Sequence, residues 1–269
     1  DMIISSEIFS FNSLFAACLV PDKTLIWQES GNHNRKFFKL PSLIWYHFVA
    51  RTFMRKVRVI PRSLIAGKFT KQFGLNVFSN FIDHGVDGKV FHFQKEKKAS
   101  FIVIAHLDRD KDVISIIISY KKFIERYSDR QYSLYIIGEG EESENLKDYV
   151  QSNQLSYQIF FLGRIPQREL SKYLSESACL LCNSRKELNK LSIGEAIVAG
   201  PPVLTNTVPY SHEWITQNKL GIVKDYWTEE DMHEIVMNNQ YYVDNCSRYS
   251  SQLLLSELPN KFIKQVNMK

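Results

Sequence analysis

From Ser30 to Ile82 the chain has no aspartate or glutamate. The same stretch holds Arg35, Lys36, Lys39, Arg51, Arg55, Lys56, Arg58, Arg62, Lys68 and Lys71, with Phe37, Phe38, Trp45, Tyr46, Phe48 and Phe53 among them. A region of one sign favours an anionic partner, such as a membrane surface, a lipid phosphate or nucleic acid. The plainer reading is a solvated basic face over an aromatic core. Cysteine is scarce: 4 residues in 269 do not make a disulfide framework, and a reducing cytoplasm fits. Cys179 and Cys182 form a C-x-x-C, but no second Cys pair or His pair completes a metal set. In the apolar run Ala178–Cys182 they read as small hydrophobes on opposite faces of a buried strand. Long apolar runs are missing, and Ile114–Ile118, interrupted by Ser115, falls far short of the ~20 residues that cross a bilayer. The opening Asp1-Met2-Ile3-Ile4 lacks the regions of a signal peptide and a start methionine. The chain is therefore expected to begin inside a longer protein.

What is present is ordinary globular material, 44% hydrophobic and 23% charged, enough for two modest domains. Strand-like and helix-like runs alternate, which argues for α/β layers around mostly parallel sheets. Strands are expected first at Met2–Ser6, Thr24–Gln28, Val57–Pro61 and Val77–Ile82. Helices are expected near Phe9–Leu19, Pro41–Arg55 and Ser63–Phe73, the last stopped by Gly74. Residues 84–99 are polar, charged and without periodicity, as in a linker. A fresh series then predicts strands at Phe101–Ala105, Tyr132–Ile137, Gln158–Leu162, Ala178–Cys182, Pro202–Thr205 and Gly221–Val223. Helices fall near 111–127, 142–152, 167–176, 191–199, 209–217 and 228–239. The segment 111–127 is β-branched and strand-like by propensity. Its Val113, Ile117, Tyr120 and Ile124 sit at helical spacing, and its length favours a helix.

The most informative stretch is Asn183-Ser184-Arg185-Lys186-Glu187-Leu188-Asn189-Lys190-Leu191-Ser192-Ile193-Gly194-Glu195, continuing to Gly200-Pro201-Pro202-Val203. Two glutamates are separated by seven residues, the first in a loop after a strand, the second about one turn into a helix. A strand, loop and helix N-terminus form a ready anion site, because unpaired amides and the helix dipole face outward. This pattern resembles the group 1 glycosyltransferases of GT-B fold. Further landmarks follow in the family's order: Phe81-Ile82-Asp83-His84-Gly85-Val86-Asp87, Ile136-Ile137-Gly138-Glu139-Gly140 and Phe161-Leu162-Gly163-Arg164. The resemblance covers roughly 101–240.

It implies two Rossmann-like domains, the N-terminal one truncated. Residues 1–83 correspond to the second half of an acceptor-side domain, 84–99 to the interdomain linker, 100–245 to the nucleotide-sugar donor domain and 246–269 to a helical tail. It also implies site roles. Glu195 would accept bonds from ribose hydroxyls, and Glu187 would hold a donor-sugar hydroxyl. Leu188, Asn189, Lys190 and Leu191 would cradle the pyrophosphate, with Lys111 neutralising it and Arg164 on the donor side. The family has a Gly-Arg pair at the end of the first donor-domain strand; here Ala105-His106 stands there, so His106 takes the arginine's position. The family's Gly-Phe-Gly after the first glutamate is replaced by Leu188-Asn189-Lys190. His33 lies in the loop where family members often carry a functional histidine.

The implied activity is transfer of a sugar from a nucleotide diphosphate, with UDP the expected nucleotide, to a saccharide or lipid-linked acceptor with retained configuration. Bacterial surface polysaccharide or glycolipid assembly is the expected setting. Neither a cofactor nor a metal is expected, and the partners expected are the nucleotide-sugar, the acceptor and a peripheral membrane contact through 35–71 on the inner face. Nucleic acid is not expected, since no recognised motif accompanies the basic block. A rival reading is a non-catalytic GT-B-like binding or partner subunit, favoured by His106, the replaced Gly-Phe-Gly and the short N-terminal region.

Overall fold

The computed structural model describes residues 2–32, 39–127, 131–187 and 191–267. The chain divides into two compact units, Asp1–His84 with Leu258–Lys269, and Gly85–Glu257.

The first unit is built on four parallel strands in chain order: β1 (Ile3–Ser6), β2 (Thr24–Gln28), β3 (Arg58–Pro61) and β4 (Asn76–Val77). Crossovers run through α1 (Phe11–Leu19), α2 (Lys39–Ile44), a π-helical stretch (Trp45–Ala50), α3 (Arg51–Phe53) and α4 (Leu64–Lys71). Ser63 starts α4 by accepting the Ala66 amide at 3.1 Å. Alternation along the central strands feeds two cores. Ile26 and Val59 pack with Tyr46 and Phe69. Leu25 and Ile60 pack with Leu258 and Phe262 of the terminal helix Leu258–Asn267. That return of the last helix to the first unit separates it from the rest of the stretch expected as a tail.

The expected strand Val77–Ile82 is cut short. Pairing with β3 ends at Val77, although the Phe78 and Ile82 amides still reach the carbonyls of Val59 and Pro61 at 2.9 Å each. The bend at Ser79-Asn80 breaks the ladder between them.

The second unit has six parallel strands: β5 (Lys98–Ile104), β6 (Ser133–Ile137), β7 (Ile159–Gly163), β8 (Ser177–Leu181), β9 (Val203–Thr205) and β10 (Gly221–Val223). Their order is β10-β9-β8-β5-β6-β7. The chain winds outward from β5 to β7, returns to the far side of β5, and winds outward again. One face carries α5 (Val113–Arg126), α6 (Ser143–Ser152) and α10 (Glu229–Met237). The other carries α7 (Gln167–Glu176), α8 (Leu191–Ala199), α9 (His212–Asn218) and α11 (Asn239–Ser250). Val113, Ile116, Ile117, Tyr120 and Phe123 make one buried stripe on α5, so helical burial overrides strand propensity there. Cys179 and Cys182 are fully buried and belong to opposite cores.

Residues expected as a linker are partly packed. Val86 and Phe91 are buried, and Val86 exchanges backbone bonds with Leu253 and Leu255, each 2.8 Å. The turn after β5 and the loop after β8 stand side by side.

Candidate functional site

In an open parallel sheet the chain end of each strand delivers its loop to one rim. Where the winding direction reverses, adjacent loops part and leave a crevice for ligands. The reversal here lies between β5 and β8. The loop after β5 carries Lys111, and the loop after β8 carries Glu187. Asp108 shapes the first loop by accepting the Lys111 amide at 3.0 Å. Lys111 Nζ and the Glu187 carboxylate form an ion pair across the crevice, their side chains only 19% and 13% exposed.

Further bonds lace the two loops together. Asp112, in a left-handed conformation with φ 45°, accepts from Asn183 at 3.1 Å and from Arg185 at 2.7 Å. The Arg185 amide donates to the Asp110 carbonyl at 2.7 Å. Asn206, after β9, donates to Asn183 at 3.2 Å and to the Ser184 carbonyl at 2.7 Å. Sequence reasoning assigned no role to Asp112, Asn183, Arg185 or Asn206. The left-handed Asp112 leaves no sequence signature, and its partners are about seventy positions away.

Glu195 lies half-buried on α8, one turn from the helix start. Burial raises its carboxyl above its ordinary pKa. Among the described residues no donor pairs with it. The Ser192 hydroxyl, in the first turn of the same helix, is buried and likewise without a partner among the described residues. Leu191 is exposed at the helix start. Leu188, Asn189, Lys190 and His33 lie outside the described residues.

His106 and Arg164 sit apart from this pair, in a cleft of about 730 Å³ at the ends of β5, β6 and β7. Gly138 and Gly140 form its floor. A Cβ on Gly138 would lie 1.8 Å from the Ala105 carbonyl oxygen, and one on Gly140 would lie 2.3 Å from that of Leu107. Both glycines are therefore demanded by the close approach of the β5 and β6 chain ends. Arg164 stands 3.7 Å from Glu139, and both are largely exposed. The cleft has the size of ordinary small-molecule sites, ~300–1,000 Å³.

Among the described residues no group of acidic, His or Cys side chains is arranged to hold a metal ion. No helix among them is long and apolar enough to cross a membrane.

Comparison with known proteins adds to this geometry. The family model "Glycosyl transferases group 1" matches residues 89–238, more than half of the chain. The chain is 19% identical over 138 residues to alpha-monoglucosyldiacylglycerol synthase of Streptococcus pneumoniae, covering 51% of this chain and 30% of that one. It is 23% identical over 179 residues to the O-antigen chain mannosyltransferase RfbU of Salmonella typhimurium, covering 66% and 49%. The chain thus spans half or less of the length of these relatives. Anabaena Alr3699/HepE, solved with UDP and glucose, matches at TM-score 0.69 and 13% identity, over 99% of this chain and 78% of that one. The fold is that of the GT-B enzymes.

Proposed function

The chain belongs to the group 1 glycosyl transferases, and from that premise we propose that its second unit binds the donor of a retaining transferase, a nucleotide-diphosphate sugar. The observation that carries this reading is the Lys111–Glu187 pair at the switch point, with an unpartnered, half-buried Glu195 one turn into α8. Lys111 is held by the Glu187 carboxylate. A diphosphate takes over that ammonium, which frees Glu187 to accept from a sugar hydroxyl. The α8 N-terminus, with its first-turn amides and buried Ser192 hydroxyl, adds donors and a favourable dipole for the phosphate charge. Glu195 gains from ribose hydroxyls the donors it lacks. The glycine-floored cleft bearing His106 and Arg164 receives the nucleoside.

The protein's contribution to the reaction is then positioning and electrostatic relief of the departing diphosphate. No metal is needed for that role. UDP is the proposed nucleotide, and the acceptor is a saccharide or lipid-linked saccharide of surface polysaccharide or glycolipid assembly. Support for that setting comes from the relatives' names, which specify glucosyldiacylglycerol and O-antigen chains.

The first unit supports the proposed peripheral membrane contact. Ser42, Tyr46, Ala50 and Met54 face inward. Leu40, Ile44 and Phe48 form the opposite, exposed stripe, and Arg51, Arg55 and Lys56 are exposed nearby. An apolar stripe beside bare cations suits an anionic lipid surface.

Calorimetric titration with UDP, GDP and pyrophosphate tests the donor site. Lys111→Ala removes a charge-assisted bond, so nucleotide affinity should fall by roughly tenfold to a hundredfold. Glu195→Gln should weaken UDP and leave pyrophosphate unchanged. Unaltered UDP affinity in Lys111→Ala would displace the phosphate from this crevice.

A further inference from the structure

A second cavity, of about 480 Å³, opens on the α5–α10 face of the second unit. It lies on the other face of the sheet from α8 and Glu195. Its walls come from four places in the sequence: α5, the loop after β8, Asn206, and the turn between β10 and α10. Most of the residues in those walls are polar, with Val208, Tyr226 and Trp227 supplying apolar surface. Ser115 and Ser119 stand one turn apart on α5 and share a face.

Three features say what the cavity can hold. The Ser184 hydroxyl is completely buried and has no hydrogen-bond partner among the described residues. With no accessible surface, that hydroxyl makes the wall behind the cavity polar and is not itself a contact for an occupant. The charges are also arranged against an anion. The cavity's cation, Arg185, is already paired with Asp112 at 2.7 Å. Asp225 accepts from the Thr207 hydroxyl and has no cation against it among the described residues. Finally, Tyr226 stands at the rim 92% exposed, beside Trp227, whose indole N–H is taken by the Cys182 carbonyl at 2.9 Å. Tyr226 is thus a free aromatic face with a polar tip.

Hydroxyl, amide and carboxylate groups without net positive charge, next to an open ring, fit a neutral polyhydroxylated ligand. Its hydroxyls both donate and accept, and its C–H faces lie on an aromatic ring. We propose that this cavity is a subsite for a neutral saccharide, separate from the nucleotide crevice. It shares Asp112, Asn183 and Arg185 with the lacing around Lys111 and Glu187, so an occupant would contact the segments that carry the ion pair.

The test is direct and needs no nucleotide. Saturation-transfer NMR on the full chain would use maltose, α-1,2-mannobiose and, as an anionic control, glucuronate. Maltose or mannobiose should bind with a Kd in the millimolar range, about −4 kcal/mol, and glucuronate more weakly. Tyr226→Ala changes a fully solvated side chain and should preserve the fold while weakening the saccharide about tenfold or more. Asp225→Asn, which keeps the shape and removes the charge, should raise glucuronate binding. Absence of saturation transfer to either neutral sugar at ~50 mM would overturn the proposal. So would saccharide binding that Tyr226→Ala leaves unchanged. Loss of sugar binding in Lys111→Ala but not in Tyr226→Ala would place the sugar in the crevice instead.

Discussion

The two sheets obey the same rules and end differently. In the second unit helices cover both faces, β8 and β9 are buried throughout, and β5 is buried from Ser100 to Val103. In the first unit the edge strand β1 leaves Ile3 and Ile4 about half exposed. Its neighbour α1 presents Phe11, Phe15 and Leu19 to solvent, each more than 60% exposed. Those three residues are four apart and form one stripe. A parallel sheet is stable when covered on both faces and paired at its edges. The second unit closes its own core. The first leaves apolar surface that an interacting surface would cover.

The sharpest way to break the contrast is to cut into each unit at a large hydrophobe. Leu180→Ala, in the fully buried centre of β8, should destabilise the second unit by about 2–5 kcal/mol. Calorimetry would show this as a transition lowered by several degrees. If Leu180→Ala has no effect, that core is not packed as described.

A smaller effect is expected at the opposite rim of the same sheet. Lys97 reaches the carbonyls of Ser175 at 2.7 Å and Ala199 at 3.3 Å, near the ends of α7 and α8. Burial pushes its ammonium down to about 7. The unfolded chain keeps that proton to about pH 10.4. Between those values the unfolded state binds more protons, so stability rises with pH through that window and is flat with respect to this group below it. The gain is on the order of a few kcal/mol at most, since the two carbonyls offset part of the burial cost. Lys97→Met should remove that rise. Denaturant midpoints at pH 7 and pH 9.5 compare the slopes, and equal slopes would contradict the burial.

Smaller again is Glu195. Its carboxyl holds a proton to higher pH in the fold than in the unfolded chain, so stability falls as pH rises through that interval and stays lower above it. Glu195→Gln lifts the penalty. The unliganded protein should melt about 1–3 °C higher at neutral pH, a trade of stability against binding. The gain should vanish below about pH 4, where the native carboxyl is protonated too. A melting temperature that falls in the variant at neutral pH would mean that Glu195 has a partner in the unliganded fold.

At the small end stands Phe15→Ser on the exposed stripe of α1. It should change stability by no more than about 0.5 kcal/mol and reduce self-association. Light scattering and melting measure both. A loss comparable to that of Leu180→Ala would show that the stripe is already covered.

The parts legible in the sequence were those with local causes. Helical spacing from Val113 to Phe123 outweighed a β-branched run, because five side chains could reach one core. The three-residue step from Cys179 to Cys182 foretold residence in two cores. The placement of Glu187 in a loop and Glu195 on a helix was marked by the turn and helix start around them. Long-range partners were not legible. Nothing local announces that Asp112 takes Asn183 and Arg185, or that Leu258 and Phe262 return to Leu25 and Ile60. The strand expected to Ile82 overran because an apolar run carries no mark of the bend at Ser79-Asn80.

The bond from the Arg185 amide to the Asp110 carbonyl has a consequence for timescale. Loop amides ordinarily exchange hydrogen with solvent through small local openings, while sheet amides wait for larger ones. Arg185 sits in a loop, yet its amide is tied to a segment that Asp112 and Asn183 also hold. Segments 110–112 and 183–185 are therefore expected to open together, and an Arg185 amide that exchanges as slowly as those of the strands beneath it would show this. A ligand that touches those two segments would have less of their entropy to suppress.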